Sequence, residues 1–326
     1  MKYITTASVC ALVLSSLLLA PAPALAQTWP AKPVKIIASS GAGGAADIVA
    51  RLIAERLSPA LGQPVIVDNK PGVGGHLGAE MVARSAADGY TLLMSGSPTH
   101  SVGPHLYKNL NYDPMRDVPP VAMLAVAPNL LVVNAALPVS SVEQLVQLAR
   151  TKPNQLNYSS AGNGTSGHLA AEQLKSMARV EISHVPYKSG PEAVTGVLSG
   201  DITFLFFTLP SVLPQVRAGK LRALAISSAT RSPLAADVPT VAESGYKDFE
   251  VLAWYGLFAP RGVPRETIAR LSTEIEKILR QPDIREKLAQ LGAEPKFMTP
   301  EQLTAFVAEE SPRWGRLIRA SGAKAD

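Results

Sequence analysis

The fold class follows from one stretch near the amino terminus, VKIIASSGAGGAADIVARL, residues 34–52. Its first five residues are apolar apart from one lysine, and they predict a buried strand. Residues 39–47 form a glycine-rich loop. From 46 to 57 the apolar residues recur at helical spacing, which predicts a helix. A strand, a glycine-rich loop and a helix in this order are typical of an α/β protein.

The same alternation continues along the chain. Strands at 65–68 and 90–94, with a helix at 78–85 between them, favour a parallel, doubly wound sheet. The pattern restarts after Val121 and predicts a second, similar α/β half. Its strands are expected at 156–159, 182–185 and 202–207, and its helices at 142–151 and 168–177. Further strands are expected at 221–227 and 251–258, followed by helices at 265–280, 282–291 and 300–321 that would return to the first half. The carboxy-terminal part of the chain is therefore expected to be helical throughout.

The connections between the two halves are predicted to be strands, because no low-complexity linker separates them. Residues 121–133 would cross outward and residues 251–258 would return. Two crossing strands make a stiff hinge that suits closure on a ligand. We expect domain I to comprise residues 27–125 plus 254–326 and domain II residues 126–253, with a ligand cleft between the domains.

Residues 1–26 are predicted to be a secretory signal peptide. Lys2 precedes an apolar stretch, and Ala24-Leu25-Ala26 is a small-residue cleavage motif. An uncleaved anchor is the alternative, but the stretch is interrupted by serine and threonine and is short for a membrane span. The only cysteine, Cys10, lies in this segment, so the mature chain has no disulfide or cysteine metal site. An exported chain without disulfides fits a bacterial periplasm.

Charge and histidine spacing exclude two classes of function. The net charge of +5 comes from lysines and arginines spread along the chain, whereas nucleic-acid-binding proteins concentrate them. We therefore expect no nucleic-acid partner and only a mild attraction for anions. The histidines do not form an H-x-x-x-H or H-x-H pair, so no metal site is predicted. They are His76, His100, His105, His168 and His184.

Two glycine-rich loops carry the candidate binding chemistry. The first spans residues 39–47 and the second residues 159–168, each between a predicted strand and a helix start. Glycine lets a ligand approach the backbone, and the amides and dipole of a helix start bind anions without lysine or arginine. Ligands of open α/β sheets bind at the carboxyl ends of strands. We therefore expect both loops to grip a carboxylate across one cleft, the alternative being two ordinary helix starts.

A nucleotide site is a competing interpretation of the first loop. Gly41-x-Gly43-x-x-Ala46 fits the relaxed dinucleotide fingerprint, and Asp68 stands where the ribose-binding acid of an NAD(P)-dependent oxidoreductase is expected. Export and the second loop argue against this enzyme. Asp68 also precedes Asn69 and can equally be a turn residue that caps its own backbone.

Hydrolase chemistry is less favoured than a carboxylate-binding cleft or a nucleotide site, and no catalytic residue is predicted. The segment 164–167 is one residue short of a serine nucleophile elbow. His168 is interpreted as a helix-cap or loop-packing histidine. Asp47 and Arg51, one helical turn apart, are either a surface ion pair or a cap of the first loop with an added positive charge.

A series of short motifs runs in order through the whole mature chain. They are the strand and glycine loop followed by residues 47–51, then 69–75, 88–93, 106–107 with 112–114, 158–166, 184–188, 209–211, 218–225 and 237–243. As a series they resemble the tripartite tricarboxylate transporter receptors, also called Bug receptors.

The resemblance implies a type II periplasmic binding protein whose two domains close on a small organic carboxylate. Its partners would be the small and large membrane subunits of a secondary transporter, and it would need no cofactor and catalyse no reaction. Some members of the family act in sensing, so a signalling receptor without a transport role is left open. We expect a monomer in the periplasm.

The resemblance also implies ligand-binding positions. They are Ser39, Ser40, Gly41, Ala42, Gly43, Gly44, Asp47, Thr99, Ser159, Asn163, Gly164, Thr165, Ser166, Tyr187 and Phe207. Phe207 stands where an aspartate is usual in the family, which favours an aromatic mono- or dicarboxylate as ligand. Because side chains alternate along a strand, Phe206 and Phe207 cannot both face the ligand, and at least one is expected in the core.

Overall fold

The computed structural model describes residues 29–187 and 189–321. The predicted signal peptide, residues 1–26, lies outside the described residues. The chain divides into two compact units, residues 1–31 and 32–326. In the first unit the peptide bond between Trp29 and Pro30 is cis. Everything that follows concerns the second unit.

The described part of the second unit contains ten strands and eleven helices. The strands are β1 (Val34–Ala38), β2 (Val65–Asn69), β3 (Thr91–Gly96), β4 (Pro120–Asn134), β5 (Asn157–Ser160), β6 (Ser183–Pro186), β7 (Phe204–Thr208), β8 (Leu221–Ile226), β9 (Leu252–Phe258) and β10 (Glu294–Met298). The helices are α1 (Ala45–Leu61), α2 (His76–Ala83), α3 (Gly103–Leu106), α4 (Pro114–Asp117), α5 (Val142–Thr151), α6 (Ser166–Ala178), α7 (Gly190–Ser199), α8 (Leu209–Arg217), α9 (Arg265–Leu279), α10 (Pro282–Gln290) and α11 (Pro300–Ser321). None of these helices is both long and apolar enough to cross a membrane.

The strands form one mixed sheet in the order β2-β1-β3-β9-β4-β7-β5-β6, and β8 and β10 also pair with β4. The predicted parallel pairing is confirmed for β1 with β2 and β3, and for β5 with β6 and β7. The joining strands, whose direction the sequence did not predict, are antiparallel to their neighbours: β9 to β3, and β4 to β7. A strand that arrives from the other half runs opposite to the strands it meets. The carboxyl ends of β1 and β5 consequently point toward each other.

The outward crossing strand is confirmed as β4, whose residues 120–133 are all buried. Its first part pairs with β9 up to Pro128, and its second part pairs with β7 and β8. The return lies beside Asn129, where the Ser227 amide donates to the Asn129 carbonyl (2.8 Å) and the Val251 amide donates to the Ser227 carbonyl (2.9 Å). β9 begins one residue later and pairs with β3 and β4.

The three predicted carboxy-terminal helices are confirmed as α9, α10 and α11, but this part of the chain is not helical throughout, because β10 lies between α10 and α11. β10 pairs antiparallel with β4, with Glu294 opposite Val126. Its sequence contains Pro295 and a bulge, so its extended form depends on the partner strand rather than on local propensity. The sequence interpretation also left out α7 and α8, two helices of about ten residues that follow the carboxyl ends of β6 and β7.

The faces of β7 separate core from cavity. Phe204 and Phe206 are fully buried and pack in one hydrophobic cluster with Tyr158 and Trp314. Phe207 points to the opposite face and is only partly buried. The expectation that Phe206 and Phe207 differ in orientation is confirmed.

Candidate ligand-binding site

One cavity of about 700 Å³ receives both glycine-rich loops. Ser39, Ser40, Gly43 and Gly44 of the first loop line it together with Ala161, Thr165 and Ser166 of the second. The loops follow β1 and β5, whose carboxyl ends point toward each other, so the predicted shared cleft is present. A groove of about 830 Å³ between residues 104–116 and α11 is larger, but neither loop is part of its described lining.

The first loop is closed by a buried carboxylate. Gly43 has a positive φ of 76°, and its amide donates to Asp47 Oδ2 at 2.9 Å. Asp47 Oδ1 accepts from Arg51 Nε and Asn69 Nδ2, both at 2.9 Å. Burial raises the Asp47 pKa, but the hydrogen bonds from Gly43, Arg51 and Asn69 outweigh it, so the net pKa lies below its ordinary value. The carboxylate caps the loop and also pairs with Arg51, but Asp47 is buried, so this is not the surface ion pair of the first interpretation. An added positive charge from Arg51 at the ligand stays a prediction.

The second loop is closed by a neutral imidazole. Gly164 has a φ of 77°, and its amide donates to His168 Nδ1 at 3.0 Å. The His168 ring is buried and stacks on His184, with ring centroids 4.3 Å apart. Burial, helped by the positive charge of Lys175, lowers the pKa of His168 to about 4. The interpretation of His168 as a helix-cap and loop-packing residue is confirmed.

Four helices begin at the cavity wall. The lining includes Ala45, Ser166 and Gly190, the first residues of α1, α6 and α7, and Thr208, which precedes α8. The first amides of a helix have no partner within it, and its dipole places about half a positive charge there. No described lining residue carries a charged side chain. Peptide groups rather than lysine or arginine therefore give the described wall its attraction for anions.

One wall of the cavity is apolar. Phe207 lies there with Pro191, Val194 and Leu198. A Cβ atom on Gly190 would come within 2.0 Å of Phe207 Cζ, so the absence of a side chain at Gly190 lets the ring lie against the start of α7. The cavity thus combines a polar end formed by the loops with an aromatic and aliphatic wall.

The structure places the fifteen candidate residues in two groups. Seven line the cavity: Ser39, Ser40, Gly43, Gly44, Thr165, Ser166 and Phe207. Eight lie outside its described lining: Gly41, Ala42, Asp47, Thr99, Ser159, Asn163, Gly164 and Tyr187. Of these, Thr99 and Ser159 are fully buried with their hydroxyls bonded to the carbonyls of Gly96 and Ala193. Contact with a ligand stays a prediction for all fifteen.

Ala45, Ala46 and Ala161 also line the cavity and belong to the two predicted loops. Sequence reasoning missed the rest of the described lining, which consists of Gly74, Ser95, Gly96, Ser97, Pro98, Gly190, Pro191, Val194, Thr195, Leu198, Thr208, Ser211, Gln215, Ala253, Trp254 and Tyr255. The segment 95–98 ends β3 and follows it, so the rule that ligands bind at the carboxyl ends of strands would have found it. Gln215 and Trp254 carry no such signal, because tertiary contacts alone bring them to the wall.

The described part of the structure gives no support to the nucleotide or metal interpretations at the cavity. Asp68 carries an ion pair with Lys70, 3.3 Å apart, and stands outside the described lining of the cavity. Over the described ranges, 29–187 and 189–321, no three histidine, cysteine, aspartate or glutamate side chains are placed to hold a metal ion.

Fold and cavity together define a solute-binding receptor of the periplasmic type. The sequence profile described as "Tripartite tricarboxylate transporter family receptor" matches residues 49–323. The chain belongs to this family. The protein BugT of Bordetella pertussis is 37% identical over 304 residues, which cover 93% of each chain.

Solved structures agree with this assignment. The R. palustris protein Rpa4515, solved with adipate, superposes with a TM-score of 0.83 and 36% identity, covering 91% of this chain and 99% of that one. The periplasmic binding protein BugD superposes with a TM-score of 0.80 and 32% identity, covering 91% of this chain and all of that one. The recognition of a Bug-type receptor and the predicted fold class are confirmed.

Proposed function

We propose that this receptor captures an aromatic mono- or dicarboxylate in the periplasm and delivers it to the small and large membrane subunits of a tripartite transporter. It acts by binding alone and makes or breaks no bond in the ligand. One observation carries the proposal: both glycine-rich loops and four helix starts meet at a single cavity whose described lining has no charged side chain.

The carboxylate would bind at the polar end of the cavity. The amides of Ala45 and Ala46, at the start of α1, and of Ser166, at the start of α6, have no partner inside their helices. Ser40 adds a hydroxyl whose oxygen already accepts from the Asp47 amide at 3.2 Å, so its hydrogen is free for the ligand. These donors lie on both sides of the cavity, so ligand binding favours the closed arrangement.

Closure would bend the chain where β4 lies beside Ser227 and Val251, just before the chain returns through β9. We propose that domain I comprises residues 27–125 plus 254–326 and domain II residues 126–253, after removal of residues 1–26 as a signal peptide. β4 hydrogen-bonds to strands on both sides of this division, which suits a hinge of limited amplitude.

Phe207 supports an aromatic ligand body. Its ring lines the cavity together with Val194 and Leu198, which gives a ligand an apolar surface to contact. The similarity to a protein solved with adipate supports a carboxylate ligand in general.

A ligand screen tests the proposal. The full chain is exported, the mature receptor is purified, and its melting temperature and calorimetric affinity are measured with benzoate, phthalate, adipate, citrate, NAD⁺ and NADP⁺. We expect the aromatic acids to stabilise the protein and the dinucleotides to leave its melting temperature unchanged. Binding of adipate or citrate alone contradicts the aromatic ligand, and stoichiometric binding of a dinucleotide contradicts the receptor.

A variant pair tests the role of the aromatic wall. Phe207→Leu should weaken benzoate or phthalate binding by about tenfold, because the ring contact is lost. Met177→Leu, an exposed change on α6, is the matched control and should bind like the unaltered protein. Uptake of labelled ligand by cells with and without the membrane subunits separates transport from signalling, and light scattering tests the expected monomer.

A further inference from the structure

The direction of one hydroxyl in the cavity is set by a buried amide. Asn129 lies in β4 with 1% of its surface exposed. Its Nδ2 lies 3.5 Å from the Val251 carbonyl oxygen, and its Oδ1 lies 3.2 Å from Ser166 Oγ. A carbonyl can only accept, so the amide nitrogen must face Val251 and the amide oxygen must face Ser166. The single hydroxyl hydrogen of Ser166 is therefore donated to Asn129.

Ser166 is also part of the cavity wall. Since its hydrogen is used inside the protein, the hydroxyl presents only lone pairs to a ligand. The neighbouring Thr165 is arranged in the same way, because its hydroxyl donates to the Gly162 carbonyl at 2.8 Å. The side-chain hydroxyls at the start of α6 are thus acceptors.

Ser95, a lining residue with 1% of its surface exposed, also uses its hydroxyl hydrogen inside the protein. His100 Nε2 lies 3.3 Å from a backbone carbonyl and must donate to it, so the neutral ring leaves Nδ1 as an acceptor. The Thr99 hydroxyl contacts this Nδ1 at 2.8 Å and the Gly96 carbonyl at 3.0 Å, and both of these partners accept. Thr99 therefore has no hydrogen left for Ser95, and the 2.6 Å contact between their hydroxyls is donated by Ser95.

The polar surface of the cavity is consequently divided. Ser40 and the helix-start amides offer hydrogens, which suits a carboxylate. Ser95, Thr165 and Ser166 offer only lone pairs, which suit a donor group on the ligand. A ligand whose polar atoms are all acceptors leaves the second set unpaired, at a cost in affinity.

We propose that Asn129 is a positioning residue that holds Ser166 as a hydrogen-bond acceptor, and that the cavity consequently selects carboxylates that also carry a hydroxyl or N–H donor. This inference rests on the proposed capture of a carboxylate. It adds a preference among carboxylates that neither the apolar wall nor the helix starts impose.

Matched ligands separate the preference for a hydrogen-bond donor from the proposed capture of a carboxylate. Calorimetry compares mandelate with phenylglyoxylate and phenylacetate, and 2-hydroxyglutarate with 2-oxoglutarate and glutarate. Within a set, the hydroxyl member should bind about threefold to tenfold more tightly than the oxo and unsubstituted members. Equal binding within a set overturns the inference and leaves the proposed carboxylate receptor intact. If neither these acids nor those of the ligand screen bind, the proposed function fails.

Neutron diffraction from a deuterated crystal tests the hydroxyl direction without any ligand. A deuterium on Ser166 Oγ directed at Asn129 Oδ1 supports the inference, and one directed into the cavity overturns it.

Variants test whether Asn129 acts through Ser166. Asn129→Leu frees the Ser166 hydrogen and should reduce the preference for the hydroxyl member to less than twofold. Ser166→Ala should do the same, and the double variant should equal Ser166→Ala, whereas additive losses overturn the coupling. If Asn129→Leu does not fold, a preference retained in Ser166→Ala alone overturns the inference.

Ser227→Ala is the matched control. The Ser227 hydroxyl belongs to the same buried group, because it accepts from the main-chain N–H of Asn129 at 2.8 Å and donates to the Val251 carbonyl at 2.6 Å. It is not a lining residue of the cavity. This variant should lower the melting temperature and keep the preference for a hydroxyl. A lost preference in Ser227→Ala overturns the assignment to Asn129 and Ser166.

Discussion

The two glycine-rich loops share one backbone feature and differ in the side chain that accepts from it. Gly43 and Gly164 have φ values of 76° and 77°, and each donates its amide hydrogen to the side chain four residues later. That side chain is a carboxylate, Asp47, in the first loop and a neutral imidazole, His168, in the second. A strand-to-helix turn of this shape needs an acceptor at that position, and the neighbouring side chains decide which acceptor is stable there.

The neighbours differ in kind. Arg51 and Asn69 donate to the Asp47 carboxylate, so its charge is compensated inside the loop and does not repel an anion in the cavity. His168 stacks on His184, which in turn stacks on Tyr158, and its burial favours the neutral ring. The first loop is therefore held by charge and the second by packing, and each should fail under different conditions.

The largest expected effect tests the packing of the second loop. A Cβ on Gly167 would lie 2.2 Å from the Phe206 carbonyl oxygen, whereas the equivalent position of the first loop is Ala46. Gly167→Ala should lower the free energy of unfolding in urea by about 3 kcal/mol. Ala46→Gly should cost only about 1 kcal/mol, from helix propensity. Equal losses for the two variants would show that the start of α6 shifts freely.

Acid should loosen the second loop before the first. The folded pKa of His168 is about 4 against an ordinary 6.5, so the unfolded chain binds a proton that the folded chain excludes. Its contribution to stability is complete above about pH 7 and is lost as the pH falls through 6.5 toward 4, by about 2 kcal/mol between pH 7 and 5. The Asp47 pKa is lowered from 3.8, so its contribution is lost only at lower pH.

His168→Phe tests whether the second loop is lost before the first as the pH falls, because the variant keeps a ring stacked on His184 and removes the group that binds the proton. Burial also lowers the pKa of His76 to about 4 and of His100 to about 3, and both remain in the variant. The difference in unfolding free energy between the two proteins should therefore shrink as the pH falls from 7 to 5. If this difference in unfolding free energy does not change with pH, the loss of stability between pH 7 and 5 does not come from His168.

Removing the charge of the first loop should have a smaller effect. Asp47→Asn keeps the shape but turns an amide hydrogen toward Arg51 or Asn69, so the free energy of unfolding should fall by about 1.5 kcal/mol at pH 7. Glu80→Gln, which breaks a surface pair with Arg84, should cost about 0.5 kcal/mol or less and serves as control. Similar losses for both variants would mean that Asp47 acts only as a surface ion.

The smallest expected effect distinguishes the hydroxyls of the two loops. Ser40→Ala should weaken every bound carboxylate about threefold, because a donor to the anion is lost. Ser166→Ala should weaken hydroxyl-bearing acids and leave the others unchanged. Calorimetry with mandelate, phenylglyoxylate and phenylacetate measures both effects. If the two variants change the three affinities in the same way, the proposed division of the cavity into donors and acceptors is wrong.

Structural features that depend on neighbouring residues were predicted more accurately than features that depend on residues far apart in the chain. The helix at 142–151 is confirmed to the residue, because its apolar spacing and its N-cap Ser141 are local signals. The helix predicted from 46 to 57 extends to Leu61 as α1, and Gly62, in the left-handed region with φ 72°, ends it. β10 and the antiparallel pairing of β4 and β9 were missed, because they depend on partner strands far away in the chain.

By itself, the sequence determined the alternation of strands and helices, the two glycine loops and the family, because periodicity, turn chemistry and motif order are written in neighbouring residues. Only the tertiary structure decided that the loops share a cavity, that Phe207 faces it while Phe206 is buried, and that Asn129 reaches Ser166. These depend on where long-range strand pairing places side chains, and a two-residue repeat cannot specify which face of a strand meets the partner.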